Sequence, residues 1–282
     1  MTAALLGLFV TAAAAAQGPP TFGSDAELVR VEVLVTRKGA PVRGLTAGDF
    51  EVRDSGRIQT LEPLHAEEAP IDVVLVLDLS QSVQGAKLTA LRDAAGAFLD
   101  GLRPDTERAA LIVFQEEVQR IEPLTPDLGR IRAALQAVAA RGSTALVDAA
   151  YSGLRLVEPS ARRTVVVIFS DGLDSLSWLT PAQVVEAAGR TQALVYAVAA
   201  RDRGDPENPF LEEVTRATGG RVWTARSEKE LRARFLDVLN DIRSLYVLSY
   251  APQGGASPGW HPLEVHLKRA TGEVRARPGY YR

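Results

Sequence analysis

An α/β fold, a doubly wound and mostly parallel sheet with helices on both faces, is predicted for the middle of this chain by three observations. Apolar runs of strand length at 71–77, 109–114, 164–169 and 194–199 alternate with helical periods. Two of those runs end in oxygen-rich loops, Asp78-Leu79-Ser80-Gln81-Ser82 and Ser170-Asp171-Gly172, and open parallel sheets bind ligands at the carboxyl ends of central strands. The chain ends read differently, as alternating strands broken by Gly and Pro turns.

Taking the elements in order, residues 28–36 place valine at every second position, the pattern of a strand with one buried face. After the turn at 38–41 come a short strand around 50–52, the Ser55-Gly56 turn and a strand over 58–64. Next are the strand at 71–77, a helix at 88–102 and the strand at 109–114. The tight link 115–117 makes 118–122 an antiparallel edge strand. Helices follow at 128–139 and 146–156, a strand at 164–169, a helix at 181–189 and a strand at 194–199. The unit closes with a helix at 210–218, a strand at 221–223 and a helix at 228–242. Beyond it, 245–250, 263–267 and 273–275 are strand-like, separated by turns at Gly254-Gly255 and Thr271-Gly272. Each flank alone makes a thin core, so both ends are expected to complete one small β-sandwich. The expected division is a leader at 1–16, an N-terminal β segment at 17–69, the α/β unit at 70–243 and a C-terminal β segment at 244–282.

At 282 residues, 46% hydrophobic and 24% charged, the chain has enough apolar material for a sizeable core. Its formal net charge of −3 gives no long-range attraction to nucleic acid or an anionic membrane. With no cysteine, disulfides, thiolate metal sites and cysteine nucleophiles are excluded. An apolar start running into Ala12 to Ala16 has the form of a secretory signal cleaved before Gln17, although the first basic residue is Arg30. That run is short for a membrane span. A secreted or periplasmic protein without a span in its mature chain is expected.

In an extended segment alternate side chains point the same way, so Asp78, Ser80 and Ser82 can converge on one point. Hard oxygen ligands suit Mg²⁺ or a similar cation. Asp-x-Ser-x-Ser alone arises by chance in on the order of one chain in twenty of this length, so its setting carries the reading. Arg141-Gly142-Ser143-Thr144 opens a helix, and Ser170-Asp171-Gly172 ends a second buried strand. The hydroxyls also have a plain alternative as turn or helix-cap groups, but two carboxylates aimed at one crevice without a cation would repel.

Through Asp78-x-Ser80-x-Ser82, Gly142-x-Thr144 and Ser170-Asp171-Gly172, in that order, residues 71–243 resemble the von Willebrand factor type A family. The resemblance implies a Rossmann-like domain with a metal-ion-dependent adhesion site. Matched residue by residue, it implies Mg²⁺ or Mn²⁺ held by Ser80, Ser82 and Thr144, with Asp78 and Asp171 coordinating directly or through water. Calcium is less favoured, because it prefers six to eight oxygens and often bidentate carboxylates. An exchangeable coordination position would accept an Asp or Glu carboxylate from a protein partner. Gly44-Leu45-Thr46-x-x-Asp49-Phe50-x-Val52 on one flank, with Tyr246-x-Leu248-x-Tyr250-x-Pro252 and Arg277-x-Gly279-Tyr280-Tyr281 on the other, look like bacterial secreted VWFA-related proteins.

Asp174 and Trp178 are placed on the partner rim, the carboxylate tuning the metal and the indole gripping a partner; packing of Trp178 against the next helix is the plainer alternative. Arg203-Gly204-Asp205 is a tripeptide that integrins recognise, and it is common by coincidence. No catalytic residue is assigned. The chain lacks a Gly-x-Ser-x-Gly elbow, a phosphate-binding Gly-x-x-x-x-Gly-Lys and a His-Glu-x-x-His, and His65, His261 and His266 all lie outside the α/β unit. Two alternatives to metal-dependent protein binding stay open: a structural or assembly part of an envelope complex, and a metal-dependent phosphoester hydrolase, against which Ser80 stands where a second acid is needed.

Overall fold

The computed structural model describes residues 28–63, 70–157, 162–201, 204, 207–253 and 257–282. The leader expected at 1–16, His65, the Gly254-Gly255 turn, and Arg203 and Asp205 of the tripeptide lie outside the described residues.

Alternation builds the first strands as expected. β1 (Val29–Arg37) buries Val31, Val33 and Val35, and is followed by β2 (Ala40–Pro41), β3 (Phe50–Asp54) and β4 (Arg57–Ile58). β4 is only two exposed residues, shorter than the strand expected over 58–64. Beyond Ile58 the chain bonds across both flanks, Gln59 N–H to Val52 O and Glu62 N–H to Ser249 O, and Pro63 has no amide to continue a ladder.

The α/β unit alternates β5 (Ile71–Asp78), α1 (Ala86–Asp100), β6 (Arg108–Phe114), β7 (Val118–Thr125), α2 (Leu128–Ala137), α3 (Leu146–Leu154), β8 (Arg163–Ser170), α4 (Pro181–Gly189), β9 (Leu194–Ala200), α5 (Pro209–Thr218), β10 (Val222–Ala225) and α6 (Glu228–Ile242). Its six-stranded sheet has the order β10-β9-β8-β5-β6-β7, parallel except for β7. β5 is buried along its whole length and its side chains part to two cores. Val73, Leu75 and Leu77 pack with residues of α1, α2 and α6, while Val74 and Val76 pack with residues of α3, α4 and α5. This is why 71–77 reads as a continuous apolar run.

The C-terminal strands β11 (Tyr246–Tyr250), β12 (Trp260–Leu267), β13 (Glu273–Arg275) and β14 (Gly279–Tyr281) mix with the first four. One four-stranded sheet runs β11-β1-β13 with β2 also on β1, and the other runs β14-β12-β3-β4. Each sheet therefore contains both chain ends. Between them Val31, Val33, Val35, Phe50, Val52, Leu248, Tyr250 and Leu263 form one core. Asp54, 5% exposed, accepts from Tyr250 Oη and Tyr280 Oη at 2.9 Å each. The sandwich meets the α/β unit through the amino ends of β8 and its neighbours. Arg277 donates to Thr191 O, Arg43 donates to Ser244 Oγ, and Arg163 and Arg277 act on the Glu32 carboxyl that burial pushes upward. The carboxyl ends of the parallel strands are left for a site.

Candidate metal centre

β5 and β8 are adjacent central strands with Leu77 opposite Phe169, so Asp78 and Ser170 leave the sheet side by side. Asp78 is fully buried: Oδ1 accepts from Ser80 N–H at 2.9 Å, and Oδ2 accepts from Ser170 Oγ at 2.8 Å. Burial raises its pKa to about 6; the hydrogen bonds from Ser80 and Ser170 pull the other way, and the Asp171 charge adds a smaller upward push. After Asp78 the chain makes a single 3₁₀ turn at Gln81–Val83, reverses at Gly85 and enters α1. Ser80 precedes that turn without capping it, which leaves its hydroxyl to face Ser82 at 3.0 Å. The Ser82 hydroxyl then donates to Asp171 Oδ1 at 2.7 Å.

Loop 141–145 docks onto this cluster by backbone bonds, Arg141 N–H to Leu79 O and Gln81 N–H to Gly142 O, both 2.9 Å. Gly142 is required there: its φ is +69°, and a Cβ would lie 2.9 Å from the Glu116 side chain. Thr144 does not cap α3, whose N-cap residue is Ala145, and its hydroxyl has no hydrogen-bond partner among the described residues. Its main chain is held by Ser175, which donates Oγ–H to Thr144 O at 3.2 Å and accepts from Thr144 N–H at 3.1 Å.

The site residues expected from sequence thus fall on three loops at one end of the sheet. Asp78, Ser80, Ser82 and Asp171 are linked in that order by hydrogen bonds, Ser170 joins at Asp78, and Thr144 lies on the loop docked beside them. The donor set fits a hard divalent cation. Adjacent ligands of an octahedral ion with bonds of 2.0–2.1 Å stand about 2.9 Å apart, close to the 3.0 Å between the Ser80 and Ser82 oxygens. No group of three or more His, Asp or Glu converges among the described residues, so this is a hydroxyl-rich site with few carboxylates.

The two residues expected at the rim are placed differently. Asp174 accepts from Val147 N–H in the first turn of α3, and from Ser177 N–H and Oγ–H, so it holds a helix end and a loop. Trp178 does not pack on α4. Its ring is 95% exposed, while its amide and that of Leu179 are fixed by Asp148 at 2.9 Å. Leu173 and Leu176 of the same loop are about half exposed. The loop that follows Asp171 thus presents three exposed apolar side chains, with its backbone held at Trp178 and Leu179.

Sequence reasoning missed Lys87. Its Nζ lies 2.5 Å from Asp171 Oδ2, and the Asp171 side chain is 1% exposed. The available signal was a basic residue in the first turn of a helix, where the dipole disfavours a cation.

Residues 73–173 match the family model described as von Willebrand factor type A domain. The chain is 22% identical over 244 residues to inter-alpha-trypsin inhibitor heavy chain H4 of Bos taurus, covering 80% of this chain and 26% of that protein. The human heavy chain H4 is 22% identical over 214 residues, with 71% and 23% covered. This chain thus spans about a quarter of the length of those curated relatives. Among solved structures, proximal thread matrix protein 1 from the mussel byssus, with zinc occupied MIDAS motif, superposes at a TM-score of 0.55 and 18% identity, covering 64% of this chain and 47% of that one. The vWF domain of the type V pili tip protein Mfa5 from Porphyromonas gingivalis gives 0.52 and 13%, covering 68% and 99%. At such identities the superpositions speak to the fold.

Proposed function

We propose that the α/β unit, whose residues 73–173 match the von Willebrand factor type A domain model, is a metal-ion-dependent protein-binding module that captures an acidic side chain of a partner. Ser80, Ser82 and Thr144 would hold Mg²⁺ or Mn²⁺ together with Asp78 and Asp171, Asp78 acting from behind the serines because both its oxygens already accept hydrogen bonds. The bound ion supplies a coordination position that a partner Asp or Glu carboxylate can take from water. The observation that carries this reading is the convergence of the Ser80 and Ser82 hydroxyls, 3.0 Å apart, in a hydrogen-bonded line with Asp171. The zinc-occupied site named for the mussel protein lends support to a divalent cation here.

Leu173, Leu176 and Trp178 form the rim of the capture site, since large apolar groups on a pinned loop bind a partner with little ordering cost. A phosphoester hydrolase is disfavoured. Asp78, the strand-end carboxylate that would attack, is fully buried with both oxygens engaged. No helix among the described residues is long and apolar enough to cross a membrane, and secretion of the mature chain is part of the proposal.

A melt of the chain in EDTA, Mg²⁺, Mn²⁺ and Ca²⁺, run beside Asp171→Ala, tests the reading. An ion at a hundredfold excess over Kd contributes about 2.7 kcal/mol, so Mg²⁺ or Mn²⁺ should raise Tm by several degrees in the parent and not in Asp171→Ala. No shift with any ion would reject the metal-dependent mechanism and leave the scaffold role.

A further inference from the structure

We propose that Lys87 sets the charge of the metal centre, standing in for a cation against Asp171 when no ion is bound and leaving the loaded site with a surplus positive charge that calls for a partner carboxylate. The inference rests on the metal-dependent reading above and names a residue outside its ligand set.

Three observations lead to it. The Lys87 ammonium reaches Asp171 Oδ2 while Ser82 occupies Oδ1, so one carboxylate is shared between the metal cluster and a lysine. Asp171 is almost wholly shielded from water, whereas a third of the Lys87 side chain is exposed, so the lysine approaches from the solvent side of the site. Finally, Lys87 stands in the first turn of α1, a position that the helix dipole opposes and that the ion pair with Asp171 compensates.

Charge counting gives the consequence. Asp78 and Asp171 together neutralise a divalent ion, and a centre of zero net charge has little electrostatic pull on a further carboxylate. Lys87 supplies the missing unit charge. It therefore weakens the hold on the ion by like-charge repulsion and strengthens capture of an anion at the same place. A metal that bound too well alone would leave little need for its last ligand, and Lys87 shifts the preference towards the ternary state.

The test uses the full chain, Mn²⁺ as the metal and acetate as the carboxylate probe, read by water-proton relaxation, which falls when acetate displaces an ion-bound water. Lys87→Met should bind Mn²⁺ about tenfold more tightly than the parent and need about tenfold more acetate for the same fall. Lys87→Arg, which keeps the charge, should track the parent in both readings. Should the thioether disturb the fold by circular dichroism, Lys87→Gln makes the same comparison. If the neutral variant binds Mn²⁺ as poorly as Asp171→Ala, Lys87 only orients Asp171 and the proposal is overturned; unchanged acetate demand overturns it equally. A parent chain that fails to bind Mn²⁺ at all refutes the metal-dependent reading itself, an outcome distinct from either of these.

Discussion

Replacing Asp78 by Asn should stabilise the metal-free protein at neutral pH while abolishing its response to metal. The Asp78 carboxyl is wholly buried and its pKa is raised from 3.8 to about 6, chiefly by burial. A carboxyl shifted upward contributes stability that is fully present below the unfolded value near 3.8 and lost as pH rises through about 6. By pH 7 the ionised group costs about 3 kcal/mol. Asn removes that cost with little loss of hydrogen bonding. Its carbonyl keeps the Ser80 amide, and Ser170 Oγ can accept from the new NH₂ while donating to Gly172 O, which is already 3.2 Å away. At about 2–4 °C per kcal/mol, the variant should melt about 6–12 °C above the parent in EDTA at pH 7. The two should converge as pH falls below 4, and Mg²⁺ should raise only the parent. Calorimetric melts from pH 4 to 8 decide the matter. A variant melting at or below the parent at pH 7, or a difference that does not change with pH, would refute the reasoning.

Other perturbations separate the site from its frame. Asp72→Ala removes a carboxylate shared by Arg108 and Arg162 and should cost about 3 kcal/mol by chemical denaturation; a loss under 1 kcal/mol would show those pairs to be idle. Asp54→Ala strips the common acceptor from Tyr250 and Tyr280, and at about 1.5–3 kcal/mol per charged hydrogen bond should destabilise by about 3 kcal/mol or more; a double-mutant cycle with Tyr280→Phe should be non-additive. Gly142→Ala meets both a positive φ and the Glu116 side chain, so it should lower Tm and weaken Mn²⁺ binding together; unchanged Mn²⁺ affinity would detach loop 141–145 from the site. Trp178→Ala, at a position 95% exposed, should leave stability within about 0.5 kcal/mol, and a larger loss would mean that the ring is packed after all.

The sheet was legible from a local period, and the cluster from a local motif at a strand end. Continuous apolar runs marked strands covered on both faces, and the repeat of Asp78, Ser80 and Ser82 marked three oxygens near one strand end, although β5 stops at Asp78 and the 3₁₀ turn at Gln81–Val83, not an extended period, sets the two serines facing each other. Less legible was anything set by contacts distant in sequence. Lys87 reaches a carboxylate 84 residues away, and its only local sign was a charge opposed to a helix dipole. Asp174 lies three residues after Asp171, yet the nearby α3 amide decided where it points. The aromatic motifs of the C-terminal flank gain a physical reason from Asp54: Tyr250 and Tyr280 share that one carboxylate across two sheets, and Tyr246 bonds the main chain at Val42 and Leu45. No pattern within either flank could reveal that convergence.

Asp72 and Asp78 sit at opposite ends of one strand, and their partners give the proposed site its end of the sheet. At the amino end of the sheet, carboxylates meet guanidinium groups: Asp72 with Arg108 and Arg162, Glu107 with Arg243, and Asp241 with Arg221. An arginine fork both neutralises a carboxylate and fills its lone pairs, so nothing there remains to attract an ion. At the carboxyl end, Asp78 has an amide and a hydroxyl, and Asp171 has a hydroxyl and the ammonium of Lys87. Hydroxyls satisfy oxygen geometry without cancelling charge, which leaves two buried acids and one lysine, held by Asp171. On the proposed reading, a divalent cation would outweigh this residual negative charge by one unit with Lys87 still present, and a partner's carboxylate would balance that unit.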